Sequence, residues 1–201
     1  MSKKSPLKVG ITGGIGSGKS VVAKIFSILN IPVYYADDRA KWLMAHNEVL
    51  AEQIKNEFGA DSYLPDGSVN RTLLAKIVFS DPEKVKKINS LVHPAVSLDF
   101  LKWAESQTAP YVLKEASLIF ETGGQKSLDF VINVSSPLKI RVARTLMRDP
   151  HRSEEQVNQI INQQMPDEEK NELADFIVKN TDNKLLIPQV LSIHEKLMIS
   201  V

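Results

Sequence analysis

The spacing of apolar residues changes in a regular order along this 201-residue chain. Leu7-Lys8-Val9-Gly10-Ile11-Thr12 is a short β-rich run that stops at a glycine cluster, the pattern of a buried strand. From Lys19 to Leu29 the apolar residues fall at 21, 22, 25, 26, 28 and 29, which is helical spacing, and Asn30-Ile31-Pro32 ends that helix. Pro32-Val33-Tyr34-Tyr35-Ala36 reads as a second strand leading into Asp37-Asp38. Strand, glycine loop, helix and strand open a βαβ unit, so a parallel sheet covered by helices is predicted.

Between about Arg39 and Ala109 the pattern is mostly helical, interrupted at Phe58-Gly59-Ala60-Asp61 and at Leu64-Pro65-Asp66-Gly67. Asp81-Pro82-Glu83 reads as a helix start, with aspartate as cap and proline as first helical residue. One crossover needs less helix than this, so residues 39–90 are expected to form a helical insertion. Further strands are predicted at Tyr111-Val112-Leu113, at Phe130 to Val134 and at Phe176 to Asn180. Pro137 to Arg148 reads as a basic helix carrying Lys139, Arg141, Arg144 and Arg148. Ser153-Glu154-Glu155-Gln156 resembles a capping box, and Leu185 to Leu197 is a closing amphipathic helix. Five strands with covering helices make a three-layer α/β domain.

Composition narrows the class. Hydrophobic residues make up 43% and charged residues 24%, as expected of a chain with a proper core. Cysteine is absent, which excludes a disulfide framework, thiol catalysis and cysteine-based zinc sites and fits a reducing cytoplasm. Charges nearly balance at +1, so bulk electrostatics gives no support for a nucleic-acid partner. The two lysines near the start have no apolar segment behind them, and no apolar run approaches the ~20 residues of a membrane span. His46, His151 and His194 show no metal-ligand spacing relative to one another.

The candidate chemistry lies in Gly13-Gly14-Ile15-Gly16-Ser17-Gly18-Lys19-Ser20, which matches G-x-x-x-x-G-K-[ST] between a strand and a helix. Glycines let successive N–H groups turn inward around an anion, and the following helix adds its positive dipole end. Lys19 would meet the β- and γ-phosphates of ATP, and the Ser20 hydroxyl would be a Mg²⁺ ligand. The loop does not by itself separate a kinase from a switch or a motor.

Asp37 ends the second strand, where a carboxylate can accept a proton from an acceptor hydroxyl and help hold Mg²⁺. It could equally cap a helix from Arg39, and the two roles can coexist. Arg144 and Arg148 stand four apart on one helix face, either to clamp an anion or as a solvated basic face. His93 before Pro94 reads most simply as a half-buried histidine at a helix break.

Taken in order, these residues resemble the dephospho-coenzyme A kinase family. The likeness runs from Ile11 to Ser20 through Val33-Tyr34-Tyr35-Ala36-Asp37, Asn70-Arg71, Leu74, Ile77-Val78-Phe79 and His93-Pro94. It continues through Glu115 to Glu121, Arg144, Arg148-Asp149, Gln164, Ala174-Asp175 and Asn180. The resemblance implies a P-loop NTPase core at about 7–38 and 110–201, with a five-stranded parallel sheet, a helical acceptor-binding insertion and a helical lid at about 141–165. It also implies transfer of the γ-phosphoryl of ATP to the ribose 3′-hydroxyl of dephospho-CoA, with Mg²⁺, in a monomer or weak homo-oligomer. Asp37 would then be the catalytic base, helped by Lys19 and the lid arginines Arg144 and Arg148. Gly14, Ile15, Gly16, Ser17, Gly18, Lys19, Ser20 and Asn180 would contact ATP. Arg71, His93, Leu118 and Glu121 would lie on the acceptor side, and Ser20 and Asp37 would hold the metal.

The chain also departs from the family pattern. Tyr35-Ala36-Asp37 stands where Asp-Ala-Asp is common, keeping only the proposed base. Lys41 replaces an arginine, retaining charge without bidentate geometry. Ser117-Leu118-Ile119 replaces Pro-Leu-Leu, and Asn70 stands where aspartate is frequent.

Overall fold

The computed structural model describes residues 5–78 and 80–200; residues 1–4, Phe79 and Val201 lie outside that range. Five parallel strands form one sheet: β1 (Leu7–Thr12), β2 (Val33–Tyr35), β3 (Tyr111–Glu115), β4 (Phe130–Ser135) and β5 (Phe176–Lys179), in the order β2-β3-β1-β4-β5. Strand β1 is central, pairing Leu7 with Tyr111 on one side and Val9 with Phe130 on the other. A parallel sheet is covered on both faces, which explains why Val9, Ile11, Leu113, Ile132 and Val134 on one face and Val112, Val131 and Asn133 on the other are all buried.

Helix α1 (Lys19–Ile28) begins where Gly18 adopts a left-handed conformation, φ 91°. Its inward residues Val22, Ala23 and Phe26 pack with Val190, Ile193 and Leu197 of α9 (Leu186–Ile199) and with the sheet. The chain leaves β1 toward β2 but leaves β4 toward β5, through α6 (Leu138–Arg148), α7 (Glu154–Asn162) and α8 (Asp167–Leu173). The crevice where strand order reverses therefore lies beyond the carboxyl ends of β1 and β4. The capping box of Ser153 and Gln156 forms at the start of α7.

Contacts divide the chain into two compact units. One ends at Tyr35 and resumes at Ala104, and contains the sheet; the other spans Ala36–Trp103 and is helical. The helical unit comprises α2 (Ala36–His46), α3 (Glu48–Phe58), α4 (Arg71–Val78) and most of α5 (Pro82–Ser106). It has its own apolar interior, with Leu43, Leu50, Ile54, Leu74, Val92 and Phe100 buried. Asn47 caps α3 by accepting from Leu50 N–H at 3.0 Å. The connection between α3 and α4 is closed by a bridge between Tyr63 and Val69.

Two local expectations are corrected. Helix α2 starts at Ala36, so Asp37 sits inside its first turn instead of capping a helix from Arg39. Ala36 is buried, and the chain passes from β2 into α2 with no intervening loop. The break expected at His93-Pro94 does not occur, because α5 runs straight through Pro94. A proline there removes the donor to the carbonyl of Ser90, but Ser90 is exposed and water can serve it. His93 lies on the exposed side of α5 and is not half-buried.

Candidate active site

The loop after β1 folds back on itself, with Ser17 N–H donating to the carbonyl of Gly14 at 3.0 Å. Lys19 is largely buried, and its Nζ donates to the carbonyl of Gly13 at 3.0 Å. The ammonium is thus folded over the loop. Ser20 is exposed in the first turn of α1, the end of a helix that carries the positive pole of its dipole. A glycine loop, a helix N-terminus and a lysine together have the makings of an anion cradle. An exposed hydroxyl beside it is of the donor type Mg²⁺ takes. The side-chain amide of Asn180, just beyond β5, donates to the carbonyl of Ser17 at 2.7 Å, tying the loop to the far strand.

Helix α6 brings three arginines to different places. Arg141 is buried, donates from Nε to the carbonyl of Ser136 at 3.1 Å, and lays its guanidinium against Gly14. Arg144 reaches the carbonyl of Asn180 at 3.4 Å and the carboxylate of Asp182 at 3.5 Å. Arg148 is held bidentately by Asp149, at 3.0 and 2.8 Å, and Arg152 joins the same carboxylate at 3.4 Å. The pair formed with Arg148 holds the Asp149 carboxyl below its ordinary range. Repulsion between Arg144 and Arg148 is therefore relieved by separate aspartates. Sequence spacing singled out Arg144 and Arg148, but the arginine against the glycine loop is Arg141. Helical periodicity places it on that side, although nothing in the sequence ranks it first.

Beyond β3, the hydroxyl of Thr12 donates to the carbonyl of Ser117 at 3.4 Å, and Leu118 is half-buried. Glu121 does not face solvent; its carboxylate accepts from Met165 N–H at 2.9 Å and lies 2.8 Å from the ammonium of Lys170. Tyr35 pairs in register with Glu115. Burial, reinforced by the Glu115 carboxylate, raises the Tyr35 phenol above its usual range. The second carboxylate common at this position would face Glu115 across the strands, and a neutral phenol avoids that repulsion.

Within the helical unit, Asp37 and Asp38 are both exposed in the first turn of α2, and Asp38 pairs with Lys41 at 2.9 Å. Arg39 grips Asp99 through two bonds of 2.7 and 2.9 Å and lies 4.0 Å above the Trp42 ring. Arg71 opens α4 and is exposed. Together with Lys41 it lines a cavity of about 280 Å³ whose other walls are Met44, Val69, Leu74, Ala75, Val78 and Ile88. Two cations beside an apolar wall suit a ligand with both phosphate and aliphatic parts.

A family model described as dephospho-CoA kinase matches residues 7–185. A dephospho-CoA kinase of Bacteroides fragilis is 36% identical over 188 residues, covering 93% of this chain and 91% of the relative. One from Porphyromonas gingivalis is 37% identical, covering 94% and 93%. A solved structure from Thermus thermophilus superposes with a TM-score of 0.83 at 33% identity, covering 96% of this chain and 98% of that one.

Proposed function

We infer that this chain, which belongs to the dephospho-CoA kinase family, transfers the γ-phosphoryl group of ATP to the ribose 3′-hydroxyl of dephospho-CoA. The observation that carries the ATP half is the glycine loop, with Lys19 folded over it and α1 opening behind it. Family membership carries the acceptor half.

In the reaction the bond between the γ-phosphorus and the β,γ-bridging oxygen breaks, and a bond from the 3′-oxygen to that phosphorus forms. Asp37 takes the hydroxyl proton, so the products are ADP, CoA (dephospho-CoA now carrying the 3′-phosphate) and a protonated carboxyl. Charge spreads over the transferred group, and the work of the site is to place donors around it. Loop N–H groups other than those of Ile15 and Ser17, which Gln164 and Gly14 already hold, supply those donors together with the Lys19 ammonium. Asn180 braces the loop beside the nucleotide, and Arg144, with its guanidinium near Asn180, bounds the same region. Mg²⁺, when bound with ATP, would neutralise phosphate charge, and the Ser20 hydroxyl would be its ligand on the loop. Arg148 closes over the phosphates once Asp149 yields it.

On the acceptor side, Arg71 and Lys41 take the phosphates of dephospho-CoA, and the apolar cavity beside them takes its aliphatic arm.

The deciding experiment is an acceptor panel with ATP: dephospho-CoA, AMP, CMP, shikimate and gluconate. Transfer to dephospho-CoA alone is expected. Transfer to another acceptor with none to dephospho-CoA overturns the reading.

A further inference from the structure

Ile15 stands in the glycine loop, and its N–H donates to the side-chain oxygen of Gln164 at 2.8 Å. The same oxygen lies near Gly14, so Gln164 forms one wall of the loop. A loop that binds phosphates depends on where its N–H groups aim, and an outside acceptor on one of them sets that aim. A glutamine suits the position chemically. Its oxygen accepts the bond without placing a negative charge beside the phosphates, as a carboxylate would.

The segment carrying Gln164 is anchored at depth. Gln164 N–H donates to the carbonyl of Ile161 at 3.0 Å, and the next residue, Met165, gives its N–H to Glu121 at 2.9 Å. The Met165 side chain packs against Ile119, Phe120 and Val131. Glu121 is in turn held by Lys170, whose side chain is wholly buried, with Nζ and Oε1 2.8 Å apart. That contact is one of charge on charge, not a well-angled hydrogen bond. A buried lysine must keep its counter-charge, because losing either partner strands the other in a low dielectric. Lys170, Glu121 and Met165 therefore fix where Gln164 stands.

We propose that Gln164 is a positioning residue for the phosphates of ATP, and that the buried Lys170–Glu121 pair is its anchor. In this arrangement Glu121 acts through Gln164 and not on the acceptor. The proposal rests on the glycine loop being the ATP site. Binding of a non-hydrolysable ATP analogue reads it out without reference to the acceptor or to Asp37.

The test compares Gln164→Met, the double variant Lys170→Met with Glu121→Gln, and the triple variant. Analogue affinity is measured by titration calorimetry, with ATP and acceptor KM and thermal midpoint alongside. Gln164→Met, which keeps length but cannot accept, is expected to weaken the analogue about tenfold, the scale of one hydrogen bond. ATP KM rises in parallel, while acceptor KM and the midpoint hold. The double variant loses affinity to the same degree, and the triple variant loses no more than the double. Analogue affinity within about twofold of the parent in Gln164→Met overturns the proposal. So does a fall in midpoint and in both affinities together, which marks general loosening, or losses that multiply in the triple variant. If the double variant does not fold, Gln164→Met alone decides.

Discussion

Gly16 and the carbonyl of Arg141 lie so close that even a methyl group on Gly16 would run into that oxygen and into the hydroxyl of Thr145. Gly16 also has φ 76°, a conformation side chains resist. Gly59 has φ 93° but open space around it. Alanine at Gly59 should cost about 1–3 kcal/mol from backbone strain alone. Alanine at Gly16 should cost its own positive-φ strain and, in addition, roughly 1–3 kcal/mol of overpacking. Denaturant midpoints of the two variants give the difference, and ATP-analogue affinity should fall only in Gly16→Ala.

Asn180 ties the loop through the carbonyl of Ser17. Removing the amide in Asn180→Ala should weaken ATP-analogue binding by about tenfold, as one lost hydrogen bond to a positioned loop implies. Acceptor KM should stay unchanged. Calorimetry with the analogue and steady-state kinetics with the acceptor measure the two separately.

Under the proposed mechanism, Asp37→Asn keeps the shape of the first turn of α2 but cannot take the hydroxyl proton. The rate of transfer should fall by about 10²-fold or more, the scale of general-base loss. ATP-analogue affinity should stay as it was. A single-turnover measurement at saturating substrates reads the chemical step directly, and unchanged turnover removes Asp37 from it.

Tyr63 donates its hydroxyl to the carbonyl of Met44 at 2.7 Å. Burial, helped by the Glu52 carboxylate, pushes its phenol up from 10.0 to about 12. The folded state thus holds this proton more tightly than the unfolded chain does. Its contribution is complete below pH 10 and is lost as pH rises toward 12. Tyr63→Phe should cost about 1 kcal/mol at neutral pH. Urea unfolding from pH 8 upward should show that gap narrowing above pH 10.

The strands were legible because a parallel strand is buried on both faces and so reads as an uninterrupted β-rich run, as from Leu7 to Thr12 and from Phe130 to Val134. The glycine loop was legible because few other folds need three left-handed glycines beside a lysine. Local chemistry misled where tertiary packing overrode it. Pro94 signals a helix end, yet α5 buries Val92, Val96 and Phe100 on both sides of it, and that burial outweighs one missing hydrogen bond. Helix α8, Asp167-Glu168-Glu169-Lys170-Asn171-Glu172-Leu173, has almost no apolar period to detect. Its one buried residue is a lysine, which by type belongs outside. Gln164 lies between α7 and α8, where no repeat predicts orientation, so its bond to Ile15 appears only in three dimensions.

Strand β1 is the first part of the sheet to be made, yet both its neighbours lie far downstream, β3 opening at Tyr111 and β4 at Phe130. The brace from Asn180 comes later still. A growing chain on the ribosome therefore carries its glycine loop for most of synthesis without the surroundings that shape it. The last support of the loop is thus also the last to be synthesised, and it can form only once β5 has joined β4.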